Sequence, residues 1–188
     1  MTMNKIDEIY KKKFSHLEGV KSLGWGSDYS QKKRFEVLLE IKGYQEGDLV
    51  LDFGCGYGDL SLLIDNYEGV DIRKSAIQIA KDKYPNRIFY HKTIEEIDKN
   101  YDWVFISGIF CFEEKWRENF ETIIENLFNK CTKGISVNFL SELTNNSKIP
   151  DMKYTKIEEV IDVTKNLSCK FTIRHDYLPN DFTLYMYK

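Results

Sequence analysis

Proline and histidine are both scarce in this chain, three of each among 188 residues. No proline-rich linker, low-complexity block or internal repeat divides it, so a single domain is expected. His16, His91 and His175 are scattered, and Cys55, Cys111, Cys131 and Cys169 never fall in a C-x-x-C pair. That leaves no zinc-ligand spacing, and no metal site is expected. The same cysteine usage argues against a disulfide framework and for a reducing, cytoplasmic setting. Apolar runs of membrane length are missing, and the opening "MTMNKIDEIYKKKF" is polar and basic, so neither a spanning helix nor a signal peptide is expected. An excess of positive charge is lacking too. The net charge is −3, which provides no basic field to draw nucleic acid. The runs "YKKKF" and "QKKRF" alternate with apolar residues at helical spacing and read as solvated helix faces.

What is present is an ordinary globular balance, 42% hydrophobic and 30% charged. A chain of this length buries roughly 70% of its unfolded surface. Strand-like and helix-like segments alternate. "DLVLDF" (48–53), "YEGVDI", "RIFYH" (87–91), "YDWVFIS" (101–107) and "ISVNFL" (135–140) read as strands. A helix is expected from Gly58 through "DLSLLIDN", another over 74–84 stopped by Pro85, and a third through "EEKWRENFETIIENLFNKC". Thr93 with Glu96, and Thr155 with Glu158, have capping-box spacing, the second opening a helix to about Leu167. "CKFTIRH" and "FTLYMYK" close the chain as two strands joined by "LPND". Residues 1–43 read as a helical cap and 44–188 as an α/β core. The pattern predicts a doubly wound, Rossmann-like sheet of seven strands, mostly parallel with an antiparallel last strand, and helices on both faces. Such sheets bind ligands at the carboxyl ends of the parallel strands.

One stretch stands at that edge. "VLDFGCGYGDL" places Gly54, Gly56 and Gly58 at alternate positions after an apolar run, with Asp52 before them and Asp71 ending the next strand. Glycines here permit unusual dihedrals and close approach of a ligand to the backbone. The dinucleotide fingerprint wants a small residue at position 59. Asp59 stands there instead and would face a pyrophosphate, and no phosphate-loop sequence follows. The remaining ligand profile has ribose hydroxyls for Asp71, no phosphate, and a positive group that tolerates Asp52. S-adenosyl-L-methionine has that profile.

D-x-G-x-G-x-G as "DFGCGYG", followed by "GVDI", resembles the class I S-adenosylmethionine-dependent methyltransferases, and the pattern including "GW-S-YSQ-KRF" looks like their small stand-alone bacterial type. The resemblance runs through "YDWVFISGIF", "GISVNFL" and the closing strand pair. It implies that Gly54, Cys55 and Gly56 lie against the donor's amino-acid part and ribose, with Gly58 opening the following helix. It implies that Asp52 meets the ammonium, Asp71 the ribose hydroxyls, and Ile72 the adenine. Thr93 and Ile94 would border the adenine edge, where Lys92 departs from the acidic residue the family often has. Ser107 and Gly108 would present backbone carbonyls to the donor and the nucleophile.

Other assignments rest on position along the strand ends and in the cap. His175 is the candidate base, with Tyr29 beside it as a catalytic candidate; Asn138, Ser141 and Tyr177 are candidates for holding the acceptor. Trp25 is placed near the donor, and Gln31 with Arg34, three apart on one helix face, could reach the donor's carboxylate. The expected activity is methyl transfer to a small-molecule acceptor: a sugar, a carboxylate or a peptide-derived metabolite. The alternatives are a macromolecule methyltransferase and a methyltransferase-fold protein that binds the donor without transfer. Against nucleic acid stands "SGIF" where an N/D-P-P-Y/F run would be needed. The sequence leaves the oligomeric state open.

Overall fold

Alternate residues of each central strand are buried against opposite layers. In the computed structural model, which describes residues 26–112, 115–150 and 152–188 together with Lys12, Ser22 and Gly24, Leu51, Phe53, Val104 and Ile106 belong to one core and Val50, Trp103 and Phe105 to the other. That two-residue period is what a sheet covered on both faces requires. The strands are β1 (Val50–Phe53), β2 (Tyr67–Asp71), β3 (Ile88–His91), β4 (Tyr101–Ile106), β5 (Cys131–Leu140), β6 (Phe171–Leu178) and β7 (Asp181–Tyr187). They form one seven-stranded sheet in the order β3-β2-β1-β4-β5-β7-β6. Strands β1 to β5 pair in parallel, and β7 lies antiparallel between β5 and β6. The expected fold is the one observed.

Among the described residues, the helices of two turns or more are α1 (Asp28–Leu39), α2 (Lys74–Lys83), α3 (Trp116–Asn129) and α4 (Ile157–Thr164). Helix α1 begins at a reciprocal cap: Ser30 N–H donates to Ser27 Oγ at 3.1 Å and Ser27 N–H to Ser30 Oγ at 3.2 Å. It buries Val37 and Leu38 in the same core as Val50 and Trp103, and Tyr185 OH on β7 donates to the Val37 carbonyl at 2.6 Å. Helix α3 packs Phe120, Ile124 and Leu127 into the opposite core.

Three local expectations change. The helix after the glycine turn is only a 3-10 turn, Asp59–Leu62. The chain returns to the sheet at Tyr67, and with Leu62 and Leu63 exposed while Leu60 and Ile64 are buried, no single apolar helix face exists there. The second capping box is shifted by one residue: Lys156 N–H donates to Glu159 at 3.0 Å, because Thr155 is held in a bridge with Ser141. Strand β6 runs on to Leu178, so His175 is not at its end; it sits in an irregular stretch between Arg174 and Leu178.

Candidate functional site

The carboxyl ends of β1, β2, β4 and β5 open into a cavity of about 870 Å³. Its floor at β1 is the glycine turn. Gly54, Gly56 and Gly58 all have positive φ, at 81°, 55° and 79°, conformations that L side chains rarely adopt. The turn is tied to β2, since both Gly54 N–H and Cys55 N–H donate to the Val70 carbonyl, at 2.8 and 3.0 Å. Gly54 and Gly56 line the cavity, whereas Gly58 does not. A Cβ at Gly58 would stand 2.5 Å from the Phe89 ring, so that glycine serves packing. Cys55 is buried, and burial pushes its thiol pKa well up, as does the nearness of Asp52. It acts as a small wall residue and not as a nucleophile.

Asp71 ends β2 with its carboxylate turned into the turn. One oxygen accepts from Gly56 N–H at 2.9 Å, and the other from Arg73 N–H at 2.8 Å and Arg73 Nε at 3.4 Å. Arg73 is a buried cation that the sequence reading missed; its place two residues after Asp71 was the available signal. Asp52 is 3% exposed and accepts from Tyr67 OH at 2.7 Å. Burial raises its carboxyl pKa to about 7, with Asp71 and Asp59 adding to the rise and the Tyr67 bond opposing it. A carboxyl so placed gains from any cation brought beside it. Asp59 also borders the cavity and accepts from Gln31 Nε2 at 3.4 Å, from Tyr84 OH at 2.7 Å and from Lys83.

Ile72, Thr93 and Ile94 stand along the next wall with Glu95 beside them. Thr93 N–H donates to Glu96 at 2.7 Å, the expected cap, here on a 3-10 turn. Lys92 is turned to Asp98 at 3.6 Å. At β4, Ser107 and Gly108 face the cavity, and Ser107 exchanges hydrogen bonds with Asn138 of β5, at 3.1 and 3.3 Å. From α1, Gln31 and Arg34 reach the wall, but Arg34 is already paired with Asp181 at 2.5 Å. Burial raises the Asp181 carboxyl pKa while Arg34 holds it down. In the sequence Asp181 is simply the last residue of the turn "LPND".

The structure does not bring Tyr29, Ser141, His175 or Tyr177 to the cavity. Tyr29 is 69% exposed and stands outside the wall. His175 Nε2 is bonded to Ser141 Oγ at 2.7 Å, and its ring stacks on Phe182. Ser141 is fully buried beneath it. Tyr177 OH is bonded to Thr183 Oγ1 at 2.9 Å. The irregular stretch in β6 turns these side chains into sheet-end packing. Trp25 lies outside the described residues. Among the described residues, no group of three or more His, Cys, Asp or Glu could hold a metal ion, and no helix is long and apolar enough to cross a membrane.

Residues 51–130 match the model of a methyltransferase domain. That match takes in less than half of the chain and is a likeness to a methyltransferase domain over those residues. A protein of Invertebrate iridescent virus 6, provisionally named methyltransferase 235L, is 29% identical over 123 residues. That match takes in 61% of this chain and 44% of the viral protein, so the chain spans less than half that relative's length. Among solved structures, an S-adenosylmethionine-dependent methyltransferase from Clostridium acetobutylicum superposes with a TM-score of 0.66 at 13% identity, covering 97% of each chain. Magnesium protoporphyrin IX methyltransferase from Synechocystis, solved with bound S-adenosylmethionine, gives 0.65 at 14% identity over 99% of this chain and 98% of its own. These structural likenesses concern the methyltransferase fold alone. The glycine turn and Asp71 lie within the residues that match the family model.

Proposed function

We infer that this protein transfers a methyl group from S-adenosylmethionine to a small-molecule acceptor. The observation that carries this reading is the positive-φ glycine turn at the foot of the cavity with the Asp71 carboxylate beside it. The residues present fit the donor. Asp71 suits a pair of ribose hydroxyls, the bare backbone of Gly54 and Gly56 suits close approach, and Asp52 gains from an ammonium or sulfonium charge. Thr93, Ile94 and Glu95 suit an adenine edge, with the Glu95 carboxylate as an acceptor for its amino group. Arg34, steadied by Asp181, suits the donor's carboxylate.

When bound, S-adenosylmethionine supplies a methyl on positive sulfur, which an acceptor heteroatom takes by bonding to carbon as the carbon–sulfur bond breaks, its electrons staying on sulfur, while the acceptor's proton passes to water. Positioning and exclusion of solvent then do most of the work the protein contributes. Among the described residues, Ser107 and Asn138 are the neutral polar pair at the junction of the β4 and β5 ends, suited to orient the acceptor. Calorimetry with S-adenosylmethionine, S-adenosylhomocysteine and NAD, followed by labelled-methyl transfer across a metabolite panel, tests the reading. The two sulfur ligands should bind and NAD should not; tight NAD binding alone would sink it. Donor binding without transfer to any acceptor would leave a binding protein on a methyltransferase fold.

A further inference from the structure

The residues assigned to the donor stand at the β1, β2 and β3 ends and on α1, and the wall changes character toward β4 and β5. Phe110 and Phe139 stack there at 5.7 Å, and Trp116 lies on Phe120 at 5.2 Å while donating from its indole to the Phe110 carbonyl at 3.2 Å. Facing them is the loop after β5, which brings Ile149, Met152 and Tyr154 to the same cavity. It is sewn in place by Lys153 N–H donating to the Cys111 carbonyl at 3.0 Å and by Ile149 N–H donating to Tyr154 OH, also at 3.0 Å. Ile149 is 54% exposed, an apolar side chain left at the mouth of a ligand cavity.

The charges in the wall point the same way. Arg34 is paired with Asp181, Arg73 with Asp71, and Lys115 with Glu118 at 3.7 Å on the exposed rim. Every cation in the described wall therefore has its carboxylate, and Asp52, Asp59 and Glu95 add further negative charge. With Arg34 assigned to the donor's carboxylate and Arg73 held by Asp71, an anionic acceptor would meet no spare positive charge within the cavity. A polyhydroxylated one would find side-chain partners in Asn119 and Thr122 but would set its remaining hydroxyls against apolar side chains, at a cost for each.

We propose that the acceptor is an uncharged, flat, largely apolar ring compound with one nucleophilic heteroatom, its ring held between the accessible edges of the otherwise buried Phe110 and Trp116 and Ile149 with Met152, and its heteroatom presented to Ser107 and Asn138. Met152 adds an adaptable surface for such a ring. This rests on the methyltransferase reading above and narrows it. The test uses calorimetry with 2-naphthol, 2-naphthoate and glucose on the protein loaded with S-adenosylhomocysteine. 2-Naphthol should bind at least tenfold more tightly than 2-naphthoate, which keeps the ring and adds a carboxylate, and glucose should not bind. Ile149→Asp, at an exposed position that folding tolerates, should weaken 2-naphthol at least fivefold and leave S-adenosylhomocysteine affinity unchanged. Equal or tighter binding of 2-naphthoate or glucose, or an Ile149→Asp variant with unaltered 2-naphthol affinity, overturns this proposal alone. No binding of S-adenosylhomocysteine to the wild-type protein overturns the functional reading and this proposal with it.

Discussion

Two carboxylates beside one glycine turn have opposite settings. Asp71 is surrounded by donors from Gly56 and Arg73, whereas Asp52 has one hydroxyl donor and carboxylates for neighbours. Replacing Asp71 by alanine would remove the acceptor of the Gly56 N–H and the carboxylate beside the buried Arg73, so Asp71→Asn is the cleaner variant. It should weaken S-adenosylmethionine binding by about 10- to 100-fold, corresponding to ~1.5–3 kcal/mol for charge-assisted bonds to hydroxyls, and calorimetry alongside a thermal melt separates that loss from unfolding. For Asp52, a folded-state pKa of about 7 lies above the unfolded value of ~3.9. The folded protein binds the extra proton, so this group's contribution to stability is full below about pH 4 and is lost as pH rises toward about 7, at up to ~1.4 kcal/mol per pH unit. Asp52→Asn keeps an acceptor for Tyr67, and its melting temperature should fall less than the wild type's between pH 5 and pH 8. Parallel melting curves for the two proteins would show that Asp52 is not the titrating group.

At the scale of the element, the glycine turn is a backbone device whose members do different things. Gly54 and Gly56 face the cavity, while Gly58 lets the first turn after β1 pass under β3. Gly58→Ala would combine a φ of 79° with a Cβ only 2.5 Å from the Phe89 ring. We expect a loss of about 1–3 kcal/mol in denaturant unfolding, the range of overpacking in a closed core, with donor affinity changed far less than by Asp71→Asn. A donor affinity lost in step with that of Asp71→Asn would return Gly58 to the binding wall. Strand β6 provides the contrasting case. Its irregular stretch directs His175 onto Ser141 and Phe182, so a histidine placed at the binding edge by its sequence position becomes a packing residue.

Over the whole molecule, the cavity is closed on one side by the segment leading into α1. Gly24 and Gly26 line it, and Ser22 Oγ is bonded to Tyr57 OH of the glycine turn at 3.2 Å. Deleting residues 1–27 removes those contacts and the Ser27 cap but keeps every described residue of the two hydrophobic cores. The truncated protein should stay folded by circular dichroism, bind S-adenosylmethionine about tenfold more weakly, ~1.4 kcal/mol, and lose most labelled-methyl transfer. Full turnover in that protein would place the acceptor away from the cap.

The sequence by itself determined the sheet, its sense and the strand-end edge at which the cavity lies. Strand periodicity and the glycine turn are local, and the binding edge of a doubly wound sheet follows from topology, so Gly54, Gly56, Asp71, Ile72, Thr93, Ser107 and Asn138 could be placed at the cavity before any contact was known. Only the tertiary structure decided which polar side chains were already taken. Arg34 is held by Asp181, far along the chain, and His175 by Ser141; neither pairing has a local pattern, because each is made across strands brought together by the fold. The aromatic wall was hidden for the same reason. Phe110 and Trp116 have the spacing and chemistry of ordinary core residues, and only the approach of Ile149, Met152 and Tyr154 from another loop makes them the face of a cavity.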